Sequence, residues 1–203
     1  MRVSGKEDAM ALVQRVQNIC LKPNQEWEVI AGESTPTADL LKNYALPLAG
    51  AKAVAEFIGN SFVRPVGFSI ASLLVAGVVM LGISVGATYA VALIIDALAP
   101  KFGAEKGVAQ GLKVAVYSAT PVWVVGILGI IPSLGALVWL AMLYSLYLLY
   151  LGLQRLMKCP AEKALAYTAA VAGCWLGIMI VASMVVGGIA AAGMVASGTL
   201  PLR

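Results

Sequence analysis

Lys52 and Glu56 are the two residues whose types and spacing come closest to doing chemistry in this chain. They stand four residues apart in the otherwise mainly apolar stretch Leu40–Phe62, so on a helix they share one face and can form an ion pair. An ionisable side chain at membrane depth usually faces a bundle interior, a partner or a water-filled path. We interpret the pair as a candidate functional site. The alternative is an ion pair near an interface, with Lys52 snorkelling and Glu56 close to the outer headgroups.

Hydroxyl-bearing residues form a second set of candidates. Tyr117 and Thr120 precede Pro121 in one predicted helix, and Tyr144 and Tyr147 share a face of the next. A proline frees a backbone carbonyl one turn back, and nearby hydroxyls help to satisfy such groups in a membrane. Tyrosine hydroxyls in lipid seek partners on neighbouring helices. We expect a packed kink and interhelical contacts from these residues, with a ligand site or substrate path as the alternative.

The sequence offers no catalytic, cofactor-binding or metal-binding set. It has no histidine, and its three cysteines, Cys20, Cys159 and Cys174, have no metal-like spacing. Histidine-based triads and histidine metal sites are therefore excluded. The net charge is +4, but the basic residues form no cluster of the kind that binds nucleic acid. We expect a protein that is not an enzyme, needs no cofactor and binds no nucleic acid.

Composition places the chain in a lipid bilayer. Hydrophobic residues make up 61% and charged residues 12% of its 203 residues, against about 45–50% and about 25% in soluble domains. A helix that crosses the hydrocarbon core needs about 20 mostly apolar residues. We predict an all-α polytopic bundle, in which residues 40–203 form the membrane domain. Its five transmembrane helices lie at about residues 40–62, 66–95, 112–131, 134–155 and 164–189.

The boundaries rest on three long charge-free runs, Pro65–Ile95, Val114–Gln154 and Ala164–Leu202. The second run is long enough for two helices, which we divide at a tight hairpin containing Pro132 and Gly135. For the third run, one span with a loose apolar tail and two short spans both remain possible.

The charges then fix the orientation. With the N-terminus inside, eleven basic residues fall in cytoplasmic segments and two, Arg64 and Arg203, fall outside. This is a strong positive-inside bias. We predict a cell-membrane protein with a cytoplasmic N-terminus and a C-terminus on the outer side.

Residues 1–39 form a cytoplasmic N-terminal segment with a short amphipathic helix. Its apolar residues recur at helical spacing, Arg15 lies on the other side, and the helix ends near Pro23. We predict that Arg15 and Trp27 lie at the membrane interface, since Trp is enriched at headgroup level. The helix lies along the inner leaflet or, alternatively, packs on the cytoplasmic ends of the spans.

Seven short segments, taken in their order along the chain, are similar to those of a known family. They are Arg15–Pro23, Glu26–Ile30, Tyr44–Ala49, Ala115–Pro121, Ile131–Pro132, Tyr144–Leu153 and Met157–Tyr167. The chain resembles the prokaryotic branch of the Yip (Ypt-interacting protein) family of five-span membrane proteins. The resemblance implies five spans and a cytoplasmic N-terminus. Eukaryotic relatives act in early secretory traffic and bind Rab-type GTPases and one another. A GTPase partner is in doubt here, because residues 1–39 do not match the long cytoplasmic region of those relatives.

Two functional hypotheses follow. The first is a non-enzymatic membrane scaffold or adaptor whose partners are the lipid bilayer and other proteins or a second copy of the chain. The Gly82–Gly86 pair, at Gly-xxx-Gly spacing, indicates either close packing or oligomerisation. The second hypothesis is a small transporter, channel or permease whose path is lined by Lys52, Glu56 and Tyr147.

Overall fold

The computed structural model describes residues 4–63, 70–128, 131, 134 and 136–196. These residues are helical apart from short connections and contain no strand, so the predicted all-α class is confirmed for them. The helices are α1 (Ser4–Leu21), α2 (Pro23–Gly32), α3 (Thr37–Leu40), α4 (Leu46–Val63), α5 (Ile70–Leu98), α6 (Val108–Ile127), α7 (Ala136–Arg155) and α8 (Ala161–Ala196).

Two N-terminal helices precede the long ones because the Lys22–Pro23 step divides them. Lys22 leaves the helical region with φ −136° and ψ 54°, as a residue before proline tends to do. Pro23 occupies the first turn of α2, where its missing N–H costs nothing. Helix α1 contacts α2 and α6, and α2 contacts α7. The N-terminal helices therefore pack on the bundle, which was one of the two alternatives for this segment.

A π-helical turn, Leu41–Ala45, joins α3 to α4 without a break. Residues 37–63 thus form one continuous helical stretch over the first predicted span. The π turn contains Tyr44 and Ala45, which are both buried. A π turn inserts one extra residue and shifts the faces of the helix that follows.

Within the described ranges, three helical segments are long and apolar enough to cross a membrane: Leu81–Phe102, Ala136–Arg155 and Ala161–Val181. They overlap the second, fourth and fifth predicted spans. Helices α4 and α6 occupy the other two predicted positions, and the five-span count stays a prediction. Helix α8 continues through Gly187 and Gly188, so the described part of the third run forms one helix rather than two. The predicted turn at Pro132 and Gly135 lies outside the described residues, as do Arg64 and Arg203.

Helix α6 is central, since it packs against α4, α5 and α7, and α8 closes the bundle against α5 and α7. The core is concentrated at one end of the bundle. The largest fully buried side chains there are Trp27, Tyr167, Ile19, Ile30, Ile95, Leu112, Leu148, Leu153 and Met157. Toward the other end, large apolar side chains are exposed, including Val78, Trp139, Leu140, Leu143, Ile180 and Val181. This surface is suited to lipid, which solvates apolar side chains.

At the buried end of the bundle, the connection between α5 and α6 contacts the connection between α7 and α8. The amide of Glu105 donates to the carbonyl of Met157 at 2.8 Å, and Lys158 pairs with the Glu105 carboxylate at 2.9 Å. Asp96 accepts the amide of Gly107 at 2.7 Å at the start of α6. These contacts join the α5–α6 and α7–α8 connections, both of which we predict to be cytoplasmic, into one surface.

Candidate functional site

The candidate site is a cluster of charged and aromatic side chains between the N-terminal helices and α6. We call it the docking cluster. Its members are Arg15, Glu26, Trp27, Glu33, Tyr44, Lys113, Tyr117 and Thr120.

Arg15 is the charged centre of the docking cluster. Its Nη1 donates to Oε1 of Glu26 at 2.6 Å and its Nη2 to Oε1 of Glu33. The Glu26 side chain is only 7% exposed. Burial acts to lower the pKa of Arg15, but the hydrogen bond to Glu33 and the nearby charges outweigh it and raise that pKa. Arg15 therefore joins α1 to α2 and to the segment after α2. These partners belong to the protein itself, and the position of Arg15 at the membrane interface stays a prediction.

Lys113 supplies a second charged contact and was missed as a site residue. It is buried in the first half of α6, and its Nζ donates to the carbonyls of Ile30, at 3.2 Å, and Glu33. A cation suits the C-terminal end of a helix, where carbonyls lack partners. Lys113 thus caps α2 from another element. The signal in the sequence was a lysine just inside a predicted span, which we interpreted only as an orienting charge.

Trp27 is fully buried in the protein. Its ring is therefore covered by protein rather than lipid, and its level relative to the headgroups stays a prediction. It packs over Gly152 of α7, where a Cβ would come within 2.9 Å of the indole carbons. The Tyr117 ring meets it edge-on at 6.1 Å. The reason is that α2 lies on α7, so its apolar face is covered by protein.

Tyr117 and Thr120 continue the docking cluster along α6. The Tyr117 ring lies 4.8 Å from that of Tyr44, and the Tyr44 hydroxyl shares a 3.0 Å hydrogen bond with Thr120. All three residues are buried, as is Pro121, and α6 continues past Pro121. The Tyr44 and Thr120 hydroxyls thus join the π turn before α4 to α6.

Tyr144 and Tyr147 play different roles. The Tyr144 hydroxyl donates to the carbonyl of Cys20 at 2.8 Å, which attaches the end of α1 to α7. The Tyr147 ring lies 5.7 Å from that of Tyr144, and Tyr147 is 42% exposed. Tyr144 therefore contributes to docking through a contact with a neighbouring helix.

Lys52 and Glu56 form their expected pair, with Nζ 2.6 Å from Oε1. The aliphatic part of the Lys52 side chain lies against Gly126 of α6. It is so close that a Cβ added at Gly126 would come within 2.7 Å of it. The side chains are 26% and 45% exposed. Among the described residues, no hydrogen bond or ion pair joins Lys52 or Glu56 to Tyr147 or to a member of the docking cluster.

The cysteines are free thiols. Burial raises the pKa of the Cys20 thiol and of the Cys159 thiol. Within the part of the chain that the structure describes, no three His, Cys, Asp or Glu side chains are grouped to hold a metal ion. The geometry of the docking cluster is that of a packed junction between elements.

Comparison with protein families supports what the segments indicated. The Yip1 domain model matches residues 18–184, which include the whole docking cluster except Arg15. Comparison with curated proteins and with solved structures gives no match. Because the matched range covers most of the chain, this protein belongs to the Yip1 domain family.

Proposed function

We propose that this protein is a non-enzymatic scaffold or adaptor of the cell membrane. It has five spans, a cytoplasmic N-terminus and a C-terminus outside. The observation that carries the proposal is the docking cluster. It fixes two helices that precede the spans to the spans themselves. The result is a formed surface beside the membrane that can hold lipid or protein partners.

The polar groups of the docking cluster bind one another, which supports a scaffold role more than a catalytic one. Arg15 is paired with two carboxylates, and the Lys113 ammonium is bound to two carbonyls. Tyr44 and Thr120 satisfy each other. Groups that bind each other in a packed junction hold elements in place. A catalytic site instead needs a reactive group within reach of a substrate.

The five-span topology is supported by the contacts of α4 and α6. Both lie against other long apolar helices. The charges on α4 are paired with each other, which lowers the cost of placing them in a membrane. An N-terminus on the cytoplasmic side puts the basic residues of both joined connections on that side as well.

Cysteine accessibility tests this proposal against the transporter alternative. In a chain without its native cysteines, single cysteines replace Lys52, Tyr147 or Lys158, and a membrane-impermeant maleimide is added from either side. We expect position 158 to react from the cytoplasmic side only and positions 52 and 147 to react from neither side.

Reaction of position 52 or 147 from both sides would show a water-filled path and overturn the scaffold proposal in favour of a transporter. Reaction of position 158 from the outer side would overturn the orientation.

A further inference from the structure

Helix α1 presents a second face that the bundle does not use. Its inner face, with Leu12, Val16 and Ile19, packs on the core. On the opposite face, Met10, Val13 and Leu21 are 72%, 52% and 77% exposed. Large apolar side chains exposed together on a helix outside the predicted spans are typical of an interaction surface.

The exposed face has the spacing of a helix-pairing seam. Glu7, Met10, Gln14, Gln17 and Leu21 follow each other at intervals of three, four, three and four residues, and all are exposed. Residues at this spacing line one side of a helix that packs along another helix. A surface depression of about 520 Å³ lies on the same side and is lined in part by these residues.

The charges favour protein over lipid on this face. Helices that lie on anionic membranes carry Lys and Arg on their polar side. Lys6 and Lys22 stand near the two ends of α1, and between them Arg15 is the one basic residue, which points inward to Glu26 and Glu33. The exposed middle of the helix therefore has amides where a lipid-binding helix needs cations.

The face is complementary to itself when two copies run in opposite directions. Glu7 and Lys22 are both exposed and stand near opposite ends of α1, about 22 Å apart at 1.5 Å per residue. An antiparallel pair places Glu7 of each chain beside Lys22 of the other. A parallel pair would place like charges together. Near the centre, Gln14 and Gln17 carry both donors and acceptors, so identical amides can satisfy each other.

We propose that α1 is an interaction surface for a second copy of this chain, which it binds as an antiparallel helix pair through Met10, Val13, Gln14, Gln17 and Leu21. The pairing is isologous, as in most homodimers. This inference deepens the proposed scaffold function by naming a partner, and it relies on that function only for the cytoplasmic position of α1.

One helix face buries less than the roughly 800 Å² per partner of a standard interface. The bilayer offsets this, because it confines both copies and raises their effective concentration. We expect the dimer in membranes and its loss on dilution in detergent.

Disulfide cross-linking in membranes tests the pairing. In the cysteine-free chain, Gln14→Cys places a thiol near the two-fold axis. Gln25→Cys is the matched control, because Gln25 is an exposed glutamine on α2. We expect a cross-linked dimer several-fold more abundant at position 14 than at position 25. Equal yields at the two positions would overturn the proposal.

Direction and charge provide a second test. Glu7→Cys and Lys22→Cys chains expressed together should cross-link to each other more than either does to itself. In the Gln14→Cys chain, Glu7→Lys should weaken the dimer, and the added Lys22→Glu should restore it. A yield of cross-links between two copies of position 7 above that of cross-links between positions 7 and 22 would refute the antiparallel pair. A dimer that stays weak when Lys22→Glu is added to Glu7→Lys would also refute it.

The lipid alternative has its own readout. In this experiment, a fluorophore is attached to Met10→Cys and nitroxide lipids are the quencher. Quenching at position 10 together with no cross-linking at position 14 would show that lipid covers this face and would overturn the dimer. The labelling pattern of position 158 reports separately on the topology, so failure of the dimer and failure of the proposed function can be distinguished.

Discussion

Gly152 shows how a single residue permits the N-terminal helices to dock. A Cβ at this position would lie 2.9 Å from Cη2 and Cζ2 of Trp27 and 3.2 Å from Cγ1 of Val114. The indole ring is rigid and fully buried. A side chain at position 152 must therefore displace α2 from α7.

We predict that Gly152→Ala destabilises the protein by about 1–3 kcal/mol, as overpacking of a core does. Thermal unfolding in detergent measures the loss. Gly177→Ala is the matched control, since nothing lies within 4 Å of its added Cβ, and it should be neutral or stabilising. Trp27→Phe should partly rescue Gly152→Ala, because the smaller ring leaves room for the methyl group. A Gly152→Ala protein as stable as the control would contradict the packing of Trp27.

Cys159 offers a prediction of pH dependence at the same scale. The residue is 5% exposed, and burial raises the pKa of its thiol. Only the thiolate reacts with alkylating reagents. Because the raised pKa keeps the thiol protonated at neutral pH, we expect slow alkylation there and a rate that still climbs at a pH where an ordinary thiol has reached its plateau. The comparison is with Lys101→Cys, an exposed position. Equal rates and equal pH profiles at the two positions would contradict the burial of Cys159.

At the scale of elements, the docking of α1 and α2 depends on charge contacts that differ in burial. Arg15 pairs with Glu26, and these side chains are 22% and 7% exposed. Arg155 pairs with Glu28 at 3.5 Å, and these are 50% and 63% exposed. Exposed ion pairs contribute little to stability, whereas loss of one partner of a buried charge leaves the other unsatisfied.

We therefore predict that Arg15→Ala increases hydrogen exchange of the α2 amides, while Arg155→Ala leaves it nearly unchanged. Hydrogen bonds to charged groups contribute about 1.5–3 kcal/mol each, and the partial exposure of Arg15 puts its loss at the lower end of that range. Hydrogen exchange with mass spectrometry measures both variants. Similar exchange in the two would mean that apolar packing alone docks α2.

At the scale of the whole molecule, burial is unequal along the bundle. Protein covers the end that carries the N-terminal helices, and the other end leaves large apolar side chains exposed. Trp27 and Trp139 represent the two environments, at 0% and 71% exposure. This difference is as expected for a bundle whose outer part meets lipid and whose inner part meets its own N-terminal segment.

Tryptophan quenching checks this asymmetry. Of the four tryptophans, one variant keeps only Trp27 and another keeps only Trp139, with Phe at the other positions. In brominated lipid, we expect strong quenching of Trp139 and weak quenching of Trp27, because the quencher must contact the ring. Equal quenching would show that α2 is detached from α7 in the membrane.

The sequence by itself determined the helical class, the positions of the long helices and the family. Each of these depends on local patterns. Apolar runs indicate helices in lipid, Pro23 marks the end of the first helix, and short segments in a fixed order indicate family membership. It also predicted the pairing of Lys52 with Glu56. Two residues four positions apart on one helix are close in space whatever the tertiary structure is.

Only the tertiary structure decided how the N-terminal helices are held. The contact of Lys113 with Ile30 spans 83 positions, and that of Tyr144 with Cys20 spans 124. Periodicity along one helix does not show which other helix covers a face, so Trp27 appeared to be a lipid-facing ring. The covering partner is Gly152, which has no side chain to produce a pattern. Sequence thus specified the elements, and the packing between distant elements specified the site.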